Sequence, residues 1–76
     1  MFDKNIFANR LGELRNTKNI MAKDVALALG VSKAAISQFE SATKSPTATT
    51  LVALADYFGV SLDYLTGRTD NPKVNE

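Results

Sequence analysis

Seventy-six residues with nine lysines and arginines, eight acids, no cysteine and no histidine exclude several classes of protein. A chain this short makes one domain with a small core, held by packing alone, because disulfides and thiolate metal sites both need cysteine. The 45% hydrophobic content suits a compact globule, and no apolar run approaches a membrane span, so a cytoplasmic protein without a membrane partner is expected. Met1-Phe2-Asp3 also lacks the basic start and long apolar segment of a signal peptide.

The net charge is only +1, but the charge is unevenly spread. Residues 14–44 carry an excess of three cations, and residues 45–76 an excess of two anions. One side of the molecule should therefore be positive and suited to a polyanion.

The first helix is read from about Asn5 to Thr17, with Ile6 or Phe7, Leu11 and Leu14 as its apolar stripe. Gly12 costs that helix about 1 kcal/mol against alanine, either allowing close packing or simply being tolerated. After the polar link Asn16-Thr17-Lys18-Asn19, Ile20 or Met21 is expected to pack under the next helix. That helix runs from Ala22 to Leu29, with Val25, Ala26 and Leu29 inward. Gly30 ends it, Val31 plugs the turn, and Ser32 caps a third helix from Lys33 to Glu40. Ala35, Ile36 and Phe39 form the buried face of that third helix. The loop Ser41–Pro46 leads to a fourth helix capped by Thr47, with Leu51, Leu54, Ala55 and Phe58 inward and Gly59 at its end. Ser61 caps a short fifth helix that ends at Gly67, with Leu62 and Leu65 inward. Residues 68–76 contain little that is apolar and read as a flexible tail or linker, leaving 1–67 as the domain. No strand pattern is present.

Two short helices joined by Leu-Gly-Val-Ser, the second with an outward polar face, form a unit suited to the DNA major groove. The pattern VALALGVSKAAISQFE, followed by SP…TLVALADYFGV and SLDYLTG, resembles the Xre/Cro family of helix-turn-helix repressors, from about Arg10 to Gly67. The resemblance implies an all-α, five-helix fold of the lambda-repressor type. It also implies a regulator that binds a near-palindromic, double-stranded DNA operator as a homodimer, without a cofactor.

Residue by residue, the resemblance makes Lys33, Ala34, Ser37 and Gln38 the base-facing positions. Their chemistry fits: lysine donates to guanine, glutamine pairs with adenine, and alanine touches a thymine methyl. Arg10, Ala22, Lys23, Thr43, Lys44 and Ser45 are the expected phosphate contacts, Ala22 through its backbone. Arg15 and Glu40 match a structural ion pair between helices one and three. Val60, Leu62 and Tyr64 match the region that the family often uses for pairing, so Leu62 is claimed by both the core and the dimer surface.

This chain departs from the family at three points: Met21 replaces a serine or threonine cap, Ala22 a frequent glutamine, and Ala42 a common glycine. Asp24 is expected to face away from DNA. With no histidine, no cysteine and no metal-ligand cluster, catalysis is not expected. The competing reading is a protein-interaction module on the same fold, antitoxin-like or an anti-repressor partner, which an exposed Leu62 and Tyr64, the low net charge and Ala22 keep open.

Overall fold

A computed structural model describes residues 2–73 of the chain. It contains α1 (Lys4–Thr17), α2 (Ala22–Leu29), α3 (Lys33–Glu40), α4 (Ala48–Phe58) and α5 (Leu62–Thr66). Each start has a local cause. The Asp3 carboxylate accepts from the Asn5 and Ile6 N–H groups and begins α1 one residue earlier than the apolar stripe alone suggests. Ser32, Thr47 and Ser61 accept from the N–H three residues ahead and cap α3, α4 and α5. α2 has no such cap: Met21 offers no oxygen, and the Asp24 carboxylate instead accepts from the Met21 N–H at 3.3 Å.

All five helices end in one way. A residue just past the helix takes a left-handed conformation, and the next N–H reaches a carbonyl five residues back. These bonds are Ile20 to Arg15, Val31 to Ala26, Thr43 to Gln38, Val60 to Ala55 and Arg68 to Asp63, at 2.8–3.0 Å. Three of the left-handed residues are glycines, and the other two are Asn19 (φ 56°) and Ala42 (φ 61°). Asparagine tolerates this region; alanine is strained there. The position where the family commonly has glycine thus keeps the left-handed conformation and carries the strain.

The core joins Phe7 and Leu11 of α1, Val25 and Ala26 of α2, Ile36 and Phe39 of α3, Leu54 and Phe58 of α4, and Leu65 of α5. The Phe7 and Phe39 rings meet edge to face with centroids 6.0 Å apart. α3 packs between α1 and α2, while α5 leans on α1 and α4. The open alternatives resolve: Phe7 and Ile20 pack inward, while Ile6 and Met21 are exposed. At Gly12 a Cβ would meet Glu40 Oε1 at 3.8 Å, an ordinary contact, so this glycine is tolerated and not required for packing.

Three expectations need correction. Leu65 is fully buried, but Leu62 is exposed, so only one of the two leucines belongs to the core. Val60 is buried at 7% exposure, because the residue after a left-handed glycine folds back onto the helix it terminates. The segment after Gly67 is not a loose tail. The Pro72 carbonyl accepts from the Ser61 N–H at 2.9 Å, and the Thr69 carbonyl accepts from Arg10 at 2.5 Å. Residues 74–76 of that expected tail lie outside the described residues.

Ala42→Gly should raise the unfolding free energy by about 1 kcal/mol by relieving the left-handed alanine. Scanning calorimetry should show this as a rise of roughly 4–8 °C. Gly67→Ala should act in the opposite sense, because its Cβ would lie 2.7 Å from Ile6 Cγ2.

Candidate nucleic-acid interface

α3 is the best-positioned surface helix in the molecule. Ile36 and Phe39 bury one side of it, and Lys33, Ala34, Ser37 and Gln38 are exposed on the other. Eight residues make a helix about 12 Å long, comparable to the width of the major groove. Its outward side is free of bulky apolar groups.

The helix is aimed by a forked ion pair. Arg15 Nε lies 2.7 Å from Glu40 Oε2, and Arg15 Nη2 donates to Oε1 at 2.9 Å. The third donor, Nη1, reaches the Ile20 carbonyl at 3.1 Å. One guanidinium therefore fixes the end of α3, the body of α1 and the link to α2. The Glu40 hydrogen bond raises the Arg15 pKa above its ordinary value, against a smaller opposing effect of burial. A raised pKa stabilises the fold fully below the ordinary arginine value, and that contribution is lost only as pH climbs through the raised one. Through neutral pH the Arg15 side of the pair is therefore constant.

The C-terminal end of α3 is also secured. The Gln38 carbonyl accepts from the Thr43 N–H, the Thr43 hydroxyl and the Ser41 hydroxyl. The two hydroxyls lie 2.9 Å apart. Thr43 thus closes the helix at the backbone of Gln38. Lys44 and Ser45 follow it on the exposed loop.

At the N-terminus of α2, Lys23 is exposed and the Ala22 side chain packs against the core, leaving its backbone as the polar group. Asp24 does not leave this helix end. Its carboxylate folds back on Met21 and puts a negative charge beside the anion-binding N–H groups. Arg10 departs furthest from expectation. Its guanidinium donates to the carbonyls of Tyr64 and Thr69 and to Asp70 Oδ1, and it lies 4.2 Å from the Tyr64 ring centroid. Its donors are committed to the fold, so Arg10 leaves the set of phosphate contacts. Sequence alone gave no sign of this, because two of the partners are backbone carbonyls.

A different surface lies around α5. Leu62 and Asp63 line two shallow grooves, one of about 600 Å³ with Phe2, Leu51 and Thr66, the other of about 330 Å³ with Val52 and Asp56. Tyr64 is half-buried beneath Arg10, and buried Val60 contributes little beyond the floor of the smaller groove. Among the described residues no cluster of acidic side chains could hold a metal ion, and no helix is long and apolar enough to cross a membrane.

Comparisons with known proteins agree with this geometry. A helix-turn-helix family profile matches residues 11–65. The chain belongs to the helix-turn-helix family of the lambda-repressor type. It is 33% identical over 67 residues to the uncharacterized HTH-type transcriptional regulator YobD of Bacillus subtilis (strain 168), covering 88% of this chain. It is 30% identical over 69 residues to the uncharacterized HTH-type transcriptional regulator YqaE of the same organism, covering 91% of this chain. The chain spans about 60% of the length of each of these relatives. The crystal structure of the P22 c2 repressor with a synthetic operator superimposes with a TM-score of 0.75 at 32% identity, covering 79% of this chain and 91% of that one.

Breaking the ion pair from one side should be costly. Glu40→Ala should destabilise the domain by about 2 kcal/mol, below the 3–5 expected for a fully buried pair because a fifth of each side chain is exposed. Arg15→Met combined with Glu40→Leu should recover part of that loss. Urea unfolding of Arg15→Met, Glu40→Leu and the double variant gives the coupling energy directly.

Proposed function

We propose that this chain is the DNA-binding domain of a transcriptional regulator, a repressor that reads a near-palindromic operator as a dimer in the cytoplasm. The observation that carries the reading is α3 itself: an exposed polar side over a rigid base, aimed by Arg15 and Glu40. Likeness to a repressor whose structure holds an operator supports it.

Lys33 and Gln38 are assigned to base edges, lysine to guanine O6 and N7, glutamine to adenine N6 and N7. Ser37 makes a shorter polar contact, and Ala34 meets a thymine methyl. Lys23, Lys44, Ser45, the Thr43 segment and the Ala22 backbone take phosphates on either side. Pairing uses Leu62 rather than Val60. Leu62 is exposed and lines both grooves beside α5, so it offers an apolar side chain that a second copy can cover. Two copies of a body 30 × 23 × 22 Å can set their α3 helices about 34 Å apart, one turn of DNA.

Selection from a random duplex pool tests the reading. Wild type should enrich a two-fold symmetric site, and Lys33→Ala with Gln38→Ala should lose it. No enrichment, with equal weak binding by both proteins, would overturn the base assignments and favour a protein-interaction module.

The salt dependence should be shallow for a DNA-binding protein. With Lys23 and Lys44 as the phosphate-contacting cations, the slope of log K on log salt should be roughly −4 for a dimer. Asp24→Asn should tighten binding to all sequences alike by removing the negative charge at the α2 terminus. Fluorescence anisotropy across a salt series measures both effects.

A further inference from the structure

Of the five described helix ends, only that of α3 puts an alanine in the left-handed region, Ala42 at φ 61°, where its Cβ is strained. It is also where two side chains close on one backbone oxygen. The Gln38 carbonyl accepts from the Thr43 N–H at 3.0 Å, and the Thr43 and Ser41 hydroxyls each lie 3.2 Å from it. The two hydroxyls are 2.9 Å from each other. A carbonyl oxygen has two lone pairs. The N–H takes one, one hydroxyl proton takes the other, and the second hydroxyl donates to the first. Both hydroxyl protons are therefore spent inside the turn. Among the described residues, the ends at Gly30 and Gly59 close through backbone bonds alone. The hydroxyl clamp stands where the left-handed residue does not suit its conformation.

We propose that Thr43, supported by Ser41, is a positioning residue for DNA: the two hydroxyls hold the left-handed Ala42 turn, and the turn sets where Lys44 and Ser45 stand beside the exposed side of α3. An alanine released from the left-handed region relaxes to negative φ, a rotation of about 120°. That rotation redirects the chain carrying Lys44 and Ser45, which follow Ala42 by two and three residues. Lys33, Ala34 and Ser37 lie before the turn and do not swing with it. The Thr43 hydroxyl thus holds the loop and does not itself touch phosphate. The inference rests on the DNA-binding reading above, but the order of the turn is measurable without DNA.

Amide hydrogen exchange without DNA, and fluorescence anisotropy with the selected operator and with a random duplex, test it on four variants of the whole chain. Thr43→Val keeps the shape and removes the hydroxyl. It should speed exchange of the residue-43 amide by about threefold to tenfold, because one hydrogen bond of the clamp is lost. The amides of α1, α4 and α5 should stay as they are. Binding should weaken by about fivefold per bound copy, on operator and random duplex alike, because phosphate contacts carry no sequence information. Thr43→Ser keeps the hydroxyl and should match wild type in both measurements. The decisive comparison is Ala42→Gly with and without Thr43→Val. Glycine takes the left-handed conformation without strain, so the turn no longer needs the clamp and the two should bind within about twofold of each other. A full fivefold loss from Thr43→Val in the Ala42→Gly background would mean that the hydroxyl touches phosphate itself, and would overturn the proposal. So would wild-type exchange or wild-type binding in Thr43→Val. If wild type binds neither duplex, the DNA-binding reading fails and the positioning role with it; if wild type binds and Thr43→Val binds equally, the positioning role alone fails.

Discussion

The contact between Arg15 and Glu40 is the constraint on which the direction of α3 depends. An eight-residue helix has little stability of its own, and its direction comes from what holds it. Ile36 and Phe39 hold α3 down by area, but apolar burial is non-directional. The forked guanidinium–carboxylate pair adds direction, because two parallel hydrogen bonds fix the angle between donor and acceptor planes. Its third bond, to the Ile20 carbonyl, extends that geometry to the start of α2. The pair therefore matters less for total stability than for where Lys33, Ser37 and Gln38 point.

The same economy recurs at α5. Arg10 and Arg15 sit on one helix and do parallel work at opposite neighbours, one on α5 and the segment after Gly67, the other on α3. α1 also packs directly against both α3 and α5. It acts as the frame that keeps both in place. The five helix ends contribute in the same spirit: each turns sharply, and in four of them the residue in the left-handed conformation suits it. The fifth, Ala42, follows α3, where the hydroxyls of Ser41 and Thr43 close on the Gln38 carbonyl.

Much of this was legible in the sequence. α2 and α3 have strong apolar periodicity, α2 ends on a glycine and α3 starts on a serine cap, and those signals place the turn between them. The outward placement of Lys33, Ala34, Ser37 and Gln38 follows from the same spacing. What escaped had no signature in residue type. A surface lysine and a partly buried arginine look alike in a list of cations until a fold supplies carbonyls for the arginine to hold. Thr69 and Pro72 act through backbone oxygens, so a polar segment reads as a tail although it is fastened. Val60 was recoverable: an apolar residue directly after a helix-ending glycine packs back onto that helix, as Val31 does after Gly30. Asp3 was a visible cap that the apolar stripe alone does not reveal.

The most direct test of the central claim maps the DNA-contacting surface residue by residue. Backbone amide resonances of the whole chain would be followed by NMR during titration with the selected operator duplex. The account predicts the largest shifts at Lys33–Gln38, at the N-terminus of α2 and at Thr43–Ser45, with α1 residues near Arg10 largely unmoved. Shifts centred instead on α4 and α5, with α3 silent, would contradict it and show that the aimed helix is not the one that reads.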